Sequence, residues 1–133
     1  MLRILLDENI SVQLKAAFRG HVVKSVNDSD IGWKNIKNGR LLAEMEGRFD
    51  LLITADRNMF AQQNLSGRNI CILVLPVNRR NDILALRERI VEVAAGVSAG
   101  TYVVLEKTGV VRRWSFDRPE DWAGDGSPGG DTR

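Results

Sequence analysis

The sequence constrains the fold most through short, uninterrupted apolar runs that alternate with stretches of helical spacing. Residues 4–6, 51–53 and 70–75 form three such runs, and none of them contains a charged side chain. Runs of this kind are typical of parallel strands that helices cover on both faces. After the first run, Ile10 and Leu14 begin the spacing of about 3.6 residues that marks one face of a helix. The alternation predicts an α/β fold around a central, mainly parallel sheet.

Turn and capping signals define the remaining predicted elements. They are a helix over 10–18 that Ser11 caps, a strand over 21–26, a helix around 41–45, a short helix over 58–65, a helix over 83–93 after the capping pair Asn81 and Asp82, and a hairpin formed by 102–105 and 110–114. Because crossovers between parallel strands are right-handed, we expect the first four strands in the order 2-1-3-4. The C-terminal hairpin is expected as an addition to this core.

Composition excludes several classes of protein. The 133 residues suit one folded domain, which we expect to span 1–116. From residue 117 onward Asp, Gly, Pro and Ser dominate, so 117–133 is predicted to be a disordered tail. The first apolar run is too short for a signal peptide or a membrane span, which predicts a cytoplasmic protein without membrane contact. A formal net charge of +2 is too small to indicate nucleic-acid binding by itself.

The sequence also limits metal chemistry to oxygen ligands. Its one cysteine, Cys71, cannot form an internal disulfide, and its one histidine, His21, cannot build a zinc site. Any metal centre must therefore use carboxylate, amide or carbonyl oxygens. His21 begins the second strand at the opposite edge of the sheet, where we expect a structural hydrogen bond.

Acidic residues follow two strands that are expected to be neighbours. Asp7 and Glu8 come directly after the first run, and Asp56 follows the third strand. Ligands of an open parallel sheet bind at its carboxyl edge, where successive connections leave in opposite directions, and that point lies between these two strands. Carboxylates held together there repel one another unless a shared proton, a cationic side chain or a hard divalent cation compensates them, and Mg²⁺ or Mn²⁺ is the natural choice for oxygen ligands. Such an ion activates water for phosphodiester hydrolysis. The alternative is that Asp56 caps the helix after it and Asp7 only opens a loop.

Four blocks of residues resemble one protein family. They are ILLDEN at 4–9, NGRLLAEME at 38–46, FDLLITADRNM at 49–59 and QQNL at 62–65. Together they resemble the PIN-like domains of small bacterial proteins, relatives of VapC-type toxins and of the Mut7-C domain, over about residues 2–95. The resemblance implies a three-layer α/β/α fold, a Mg²⁺- or Mn²⁺-dependent endoribonuclease, and a toxin that an antitoxin protein neutralises. It assigns the metal to Asp7 and Asp56, and a catalytic role in orienting water to Glu8.

The second block departs from the family pattern. PIN enzymes usually supply a further acid before the third strand, whereas this chain has Asn38 there. An amide oxygen can coordinate Mg²⁺ but adds no charge, so the metal affinity is expected to fall. Asn38 could instead cap the helix that follows it.

Basic, aromatic and amide side chains near the same edge are the predicted RNA contacts. Arg57 follows Asp56 and is expected to offset charge on the scissile phosphate. Trp33 is expected either to stack on an unpaired base or to fold onto the neighbouring helix. Lys37, Asn38 and Gln63 complete the predicted substrate-binding set for single-stranded or structured RNA.

A receiver-like phosphoacceptor domain is one alternative function. It also places acids after the first strand and a phosphate-accepting aspartate, here Asp56, after the third. That chemistry needs a hydroxyl after the fourth strand and a lysine after the fifth. The run at 70–75 ends in Leu75 and is followed by Pro76, and the next strand belongs to the hairpin, so neither partner is expected.

A catalytically weak PIN-like module that binds RNA or a protein is the other alternative. The neutral Asn38 favours it, because the acidic cluster then lacks one charge. An apolar patch on the hairpin, around Val110, Val111 and Trp114, would serve a homodimer or the docking of an antitoxin.

Overall fold

One six-stranded sheet organises the chain. The computed structural model describes residues 1–58 and 64–117. The strands are β1 (Arg3–Leu6), β2 (Val22–Ser25), β3 (Leu51–Thr54), β4 (Cys71–Val74), β5 (Thr101–Leu105) and β6 (Val111–Ser115). They lie in the order β2-β1-β3-β4-β5-β6, and every neighbouring pair is parallel except β5 with β6. The prediction of an α/β fold with a mainly parallel sheet is therefore confirmed.

Helical segments cover both faces of this sheet, as the uninterrupted apolar strands require. They are a 3-10 helix (Val12–Ala17) and the α-helices α1 (Asn38–Met45), α2 (Arg80–Ala85) and α3 (Arg87–Ala95). Leu5, Leu52 and Ile72 face the same core cluster as the buried side chains of α1. The alternate residues, including Ile4, Ile53 and Leu73, face a second cluster with those of the 3-10 helix, α2 and α3. All four residues of β3 and of β4 are buried, so these strands form the middle of the sheet.

Two helix predictions need correction. The first connection is a 3-10 helix rather than the expected helix over 10–18, although Ser11 does cap it by accepting a hydrogen bond from the backbone NH of Gln13 at 3.2 Å. The helix expected over 83–93 is divided at Leu86, whose φ and ψ of −99° and 7° lie outside the α-helical region. Asn81 and Asp82 lie inside α2 and do not cap it, since the cap residue is Arg79. The short helix expected over 58–65 falls mainly on residues 59–63, outside the described part of the chain.

The predicted C-terminal hairpin is confirmed, and its first strand belongs to the central sheet rather than lying outside it. β5 pairs in parallel with β4, with Tyr102 opposite Ile72, and thus extends the sheet. The physical reason is that residues 102–105 are all buried, so the strand needs a packed layer on both faces. β6 is then the antiparallel edge strand. Asp117 is the last described residue, so the predicted tail lies outside the described range beyond it.

The hairpin carries little of the apolar surface that was expected for a dimer or an antitoxin. Val110 is largely exposed, but Val111 and Trp114 pack against the two core clusters. Within residues 1–58 and 64–117, no helix combines the length and the apolar character that crossing a bilayer demands.

Candidate functional site

Asp7 and Asp56 lie at the same edge of the sheet because they follow the neighbouring parallel strands β1 and β3. The backbone NH of Asp7 donates to the carbonyl of Ile53 at 2.9 Å, which continues the ladder between the two strands by one residue. Both aspartates line a cleft of about 350 Å³. The predicted convergence of these two acids at one crevice is what the structure shows.

Thr54 joins the two aspartates through its hydroxyl. Its side chain is fully buried at the end of β3. The hydroxyl donates to Oδ2 of Asp7 at 2.6 Å and accepts a hydrogen bond from the backbone NH of Asp56 at 3.0 Å. One buried group therefore fixes the side chain of the first acid and the backbone of the second. The role of Thr54 was not predicted, although a hydroxyl residue that ends an apolar run two positions before an acid is a recognisable signal.

The aspartate oxygens also receive local hydrogen bonds. Oδ1 of Asp7 accepts from the backbone NH of Glu8 at 2.8 Å, and Oδ1 of Asp56 accepts from the backbone NH of Asn58 at 3.0 Å. The second contact is the Asx turn that the structural alternative for Asp56 anticipates. A carboxylate oxygen has two lone pairs, so these single bonds leave capacity to coordinate a cation.

Asn38 contributes its amide to the cleft and does not cap α1. The cap residue is Lys37, and no side chain makes a capping hydrogen bond there. Nδ2 of Asn38 lies 3.4 Å from Oδ2 of Asp56, at the long limit of a hydrogen bond. The capping alternative for Asn38 is therefore wrong, and the residue faces the second aspartate across the cleft.

Glu8 lines the cleft but also holds a loop. Its Oε1 accepts a hydrogen bond from the backbone NH of Asn35 at 3.0 Å, and its carbonyl accepts from the side-chain amide of Asn27 at 2.9 Å. Asn35 has a φ of 67°, a left-handed conformation that asparagine tolerates better than most residues. The carboxylate of Glu8 thus ties the connection after β2 to the site.

Arg57 pairs with an acid outside the acidic cleft, and its predicted contact with substrate phosphate stays a prediction. Its Nη1 lies 3.8 Å from Oε1 of Glu106, and both residues line a neighbouring groove rather than the acidic cleft. The hydroxyl of Tyr102 donates to the carbonyl of Arg57 at 3.4 Å. Burial raises the pKa of Tyr102, so the phenol stays protonated and able to donate.

The other predicted RNA contacts divide between structural and exposed positions. The Trp33 ring meets the Phe49 ring edge-on at 6.0 Å, and the guanidinium of Arg48 lies 4.8 Å from its centre. Trp33 is half-buried against the core cluster that includes Phe49 and the buried side chains of α1, so it folds onto the protein surface that the helix and Phe49 share. Lys37 is exposed directly before α1, and Gln63 lies outside the described residues.

The donor set of the cleft matches a hard divalent cation in type. The described residues that line it include the carboxylates of Asp7, Glu8 and Asp56 and the amides of Asn9, Asn38 and Asn78, all oxygen-bearing groups that Mg²⁺ and Mn²⁺ accept. In the described part of the chain, no group of three or more His, Cys, Asp or Glu residues is placed to hold a metal. Comparisons of the chain with family models, with curated proteins and with solved structures find no match.

Proposed function

We propose that this chain is a PIN-like, Mg²⁺- or Mn²⁺-dependent ribonuclease whose metal binds between Asp7 and Asp56. The observation that carries the proposal is the convergence of two carboxylates, distant in sequence, at the carboxyl ends of adjacent parallel strands. The buried hydroxyl of Thr54 holds the side chain of Asp7 and the backbone of Asp56. Helical segments on both faces of the sheet and the resemblance of residues 2–95 support the three-layer PIN-like arrangement.

Each residue of the cleft has its own role in the proposed reaction. Asp7 and Asp56 would hold the ion, with Asn38 as a neutral third ligand. When bound, the ion polarises a phosphodiester and lowers the pKa of a coordinated water. Glu8 lies beside Asp7 and orients water through a carboxylate whose position is fixed by the NH of Asn35. The RNA substrate and the role as a toxin with an antitoxin partner are predictions that rest on the resemblance.

The proposal is tested by measuring Mn²⁺ binding by calorimetry and cleavage of a fluorogenic RNA with the same variants. Asp7→Asn and Asp56→Asn should each abolish metal-dependent cleavage and weaken Mn²⁺ binding. Asn38→Asp should raise the Mn²⁺ affinity about tenfold, because it adds a carboxylate opposite Asp56. Glu44→Gln is the matched control, since it removes an acid of α1 that does not line the cleft.

One result would reject a metal site altogether, and another would select the binding module. Mn²⁺ binding that is absent, or that Asp56→Asn leaves unchanged, contradicts the proposal. Mn²⁺ and RNA binding without turnover would favour a catalytically weak module that binds RNA. The observation that favours this second function is that no group of three or more His, Cys, Asp or Glu residues in the described part of the chain is placed to hold a metal.

Two objections were raised against a receiver-like domain, and the structure removes one of them. β5 is a fifth parallel strand after all, and Lys107 follows it by two residues. The hydroxyl after β4 is still missing, because Leu75 and Pro76 stand there. If incubation with a small phosphodonor leaves covalent, acid-labile phosphate on Asp56, the ribonuclease proposal is wrong and the receiver-like function is favoured.

A further inference from the structure

A basic groove lies next to the acidic cleft at the carboxyl edge of the sheet. It has a volume of about 430 Å³ and runs between Arg57, which follows β3, and the turn that joins β5 to β6. Among the described residues that line it, Arg57, Lys107 and Arg112 are cationic and Glu106 is acidic. With a formal net charge of only +2 on the whole chain, this is a local concentration of positive charge.

Glu106 lies between the two arginines and binds neither closely. Its Oε1 is 3.8 Å from Nη1 of Arg57, and its Oε2 is 3.5 Å from Nε of Arg112. Charge-assisted hydrogen bonds are typically about 2.7–2.9 Å long, so these contacts are weak ion pairs. The side chain of Arg57 is 42% exposed, which allows solvent and salt to weaken its pair further. An anion with more oxygens than a carboxylate can displace Glu106 from both partners.

Hydrogen bonds to backbone carbonyls hold the walls of the groove. The hydroxyl of Tyr102 contacts the carbonyl of Arg57, and the backbone NH of Gly109 donates to the carbonyl of Glu106 at 2.9 Å. Nη2 of Arg89 donates to the carbonyl of Gly109 at 2.7 Å and so ties the turn to α3. A ligand can therefore rearrange the charged ends of the side chains without moving the walls of the groove.

We infer that this groove binds a backbone phosphate of a single-stranded polynucleotide, and that Glu106 occupies the site in the free protein. The inference rests on the proposed function and adds a second subsite to it. Because Arg57 directly follows Asp56, one strand of RNA can reach both the groove and the acidic cleft. Glu106 then acts as a competing anion that excludes weakly charged ligands and lowers the affinity for RNA.

The test is fluorescence anisotropy of a labelled, short single-stranded RNA in EDTA, so that binding is measured without metal or turnover. Glu106→Gln should tighten the Kd about fivefold at low salt, because the competing carboxylate is gone. Arg57→Gln should weaken binding and lower the salt dependence of log K by about one. Both variants change exposed or half-buried side chains, and thermal unfolding verifies that they fold.

Two matched controls separate a local effect from a change in total charge. Glu44→Gln removes another carboxylate that lies 3.8 Å from an arginine, Arg40, and should leave the Kd unchanged. Arg19→Gln removes an exposed arginine before β2, at the opposite edge of the sheet, and should also leave it unchanged. Equal effects of Glu106→Gln and Glu44→Gln would overturn the inference.

The outcomes for the groove and for the ribonuclease are distinguishable. If RNA binding changes as expected in Arg57→Gln and Glu106→Gln but Mn²⁺ gives no cleavage, the groove is supported and the ribonuclease proposal is wrong. Cleavage that Asp56→Asn abolishes, with binding indifferent to Glu106→Gln, rejects the groove alone. If inorganic phosphate or uridine monophosphate competes as well as RNA does, the ligand is a free phosphate and the polynucleotide assignment is wrong.

Discussion

Replacing Thr54 by valine tests the link between the two aspartates most directly. The substitution keeps the branched shape of a side chain that is fully buried, and it removes the hydroxyl that contacts Asp7 and Asp56. Asp7 then loses a donor to Oδ2, and the backbone NH of Asp56 loses its acceptor. We expect a less stable protein whose cleft also binds metal less well.

The expected loss of unfolding free energy follows from the two hydrogen bonds that Thr54→Val removes. The contact of 2.6 Å from the hydroxyl to the Asp7 carboxylate is charge-assisted, and such bonds contribute about 1.5–3 kcal/mol. The contact of 3.0 Å from the NH of Asp56 is between neutral groups and contributes about 0.5–1.5 kcal/mol. The extra methyl group of valine offsets part of this loss, since burying it is worth up to about 0.8 kcal/mol. Thr54→Val should therefore lower the free energy of unfolding by about 1–4 kcal/mol.

Urea unfolding of three proteins measures this effect. Thr54→Ser keeps the hydroxyl and deletes only a buried methyl group, so it should cost about 0.5–1.5 kcal/mol. It should also keep the increase in melting temperature that Mn²⁺ gives the wild type, whereas Thr54→Val should lose most of it. Equal destabilisation by Thr54→Val and Thr54→Ser would contradict this role of the hydroxyl. So would a Thr54→Val protein that Mn²⁺ stabilises as much as it stabilises the wild type.

Two further predictions follow from ionisable groups outside the cleft. The hydrogen bond from the Arg3 side chain holds the pKa of Asp50 below its ordinary value of 3.8, against the opposing effect of partial burial. A carboxyl group whose pKa is lowered by folding stabilises the fold above its unfolded pKa, and this stabilisation is lost as the pH falls through its folded pKa. The difference in unfolding free energy between the wild type and Asp50→Asn should therefore shrink below about pH 4. Burial raises the pKa of the Cys71 thiol to about 11. At neutral pH this thiol should therefore react with an aromatic disulfide reagent only after urea unfolds the chain. Rapid reaction of the native protein would contradict this prediction.

The central strands could be predicted from the sequence because their signal is local. A run such as Leu51–Thr54 or Cys71–Val74 must bury side chains on both faces, and only the middle of a parallel sheet with helices on both sides offers that. The break at Leu86 had no comparable signal, since the apolar spacing of 83–93 continues through it. Periodicity reports which face is buried, and it does not report where the backbone bends.

The convergence of the aspartates could be predicted for a related reason, whereas the contacts of their neighbours could not. The order β2-β1-β3 follows from right-handed crossovers, and it alone brings the residues after β1 and β3 together. The orientation of Glu8 depends instead on a backbone NH at Asn35, which becomes available through a left-handed residue in an irregular loop. No pattern of residue types indicates such a contact.

The partner of Arg57 depends on where β5 lies in the sheet. Because β5 joins the sheet next to β4, Glu106 emerges at the same carboxyl edge, and its Oε1 lies 3.8 Å from the guanidinium of Arg57. The signal for this was present in residues 102–105, whose apolar side chains occupy both faces and need a strand position inside the sheet. Where a strand lies in a parallel sheet thus decides which charges meet at its edge, and the chemistry assigned to an arginine there depends on it.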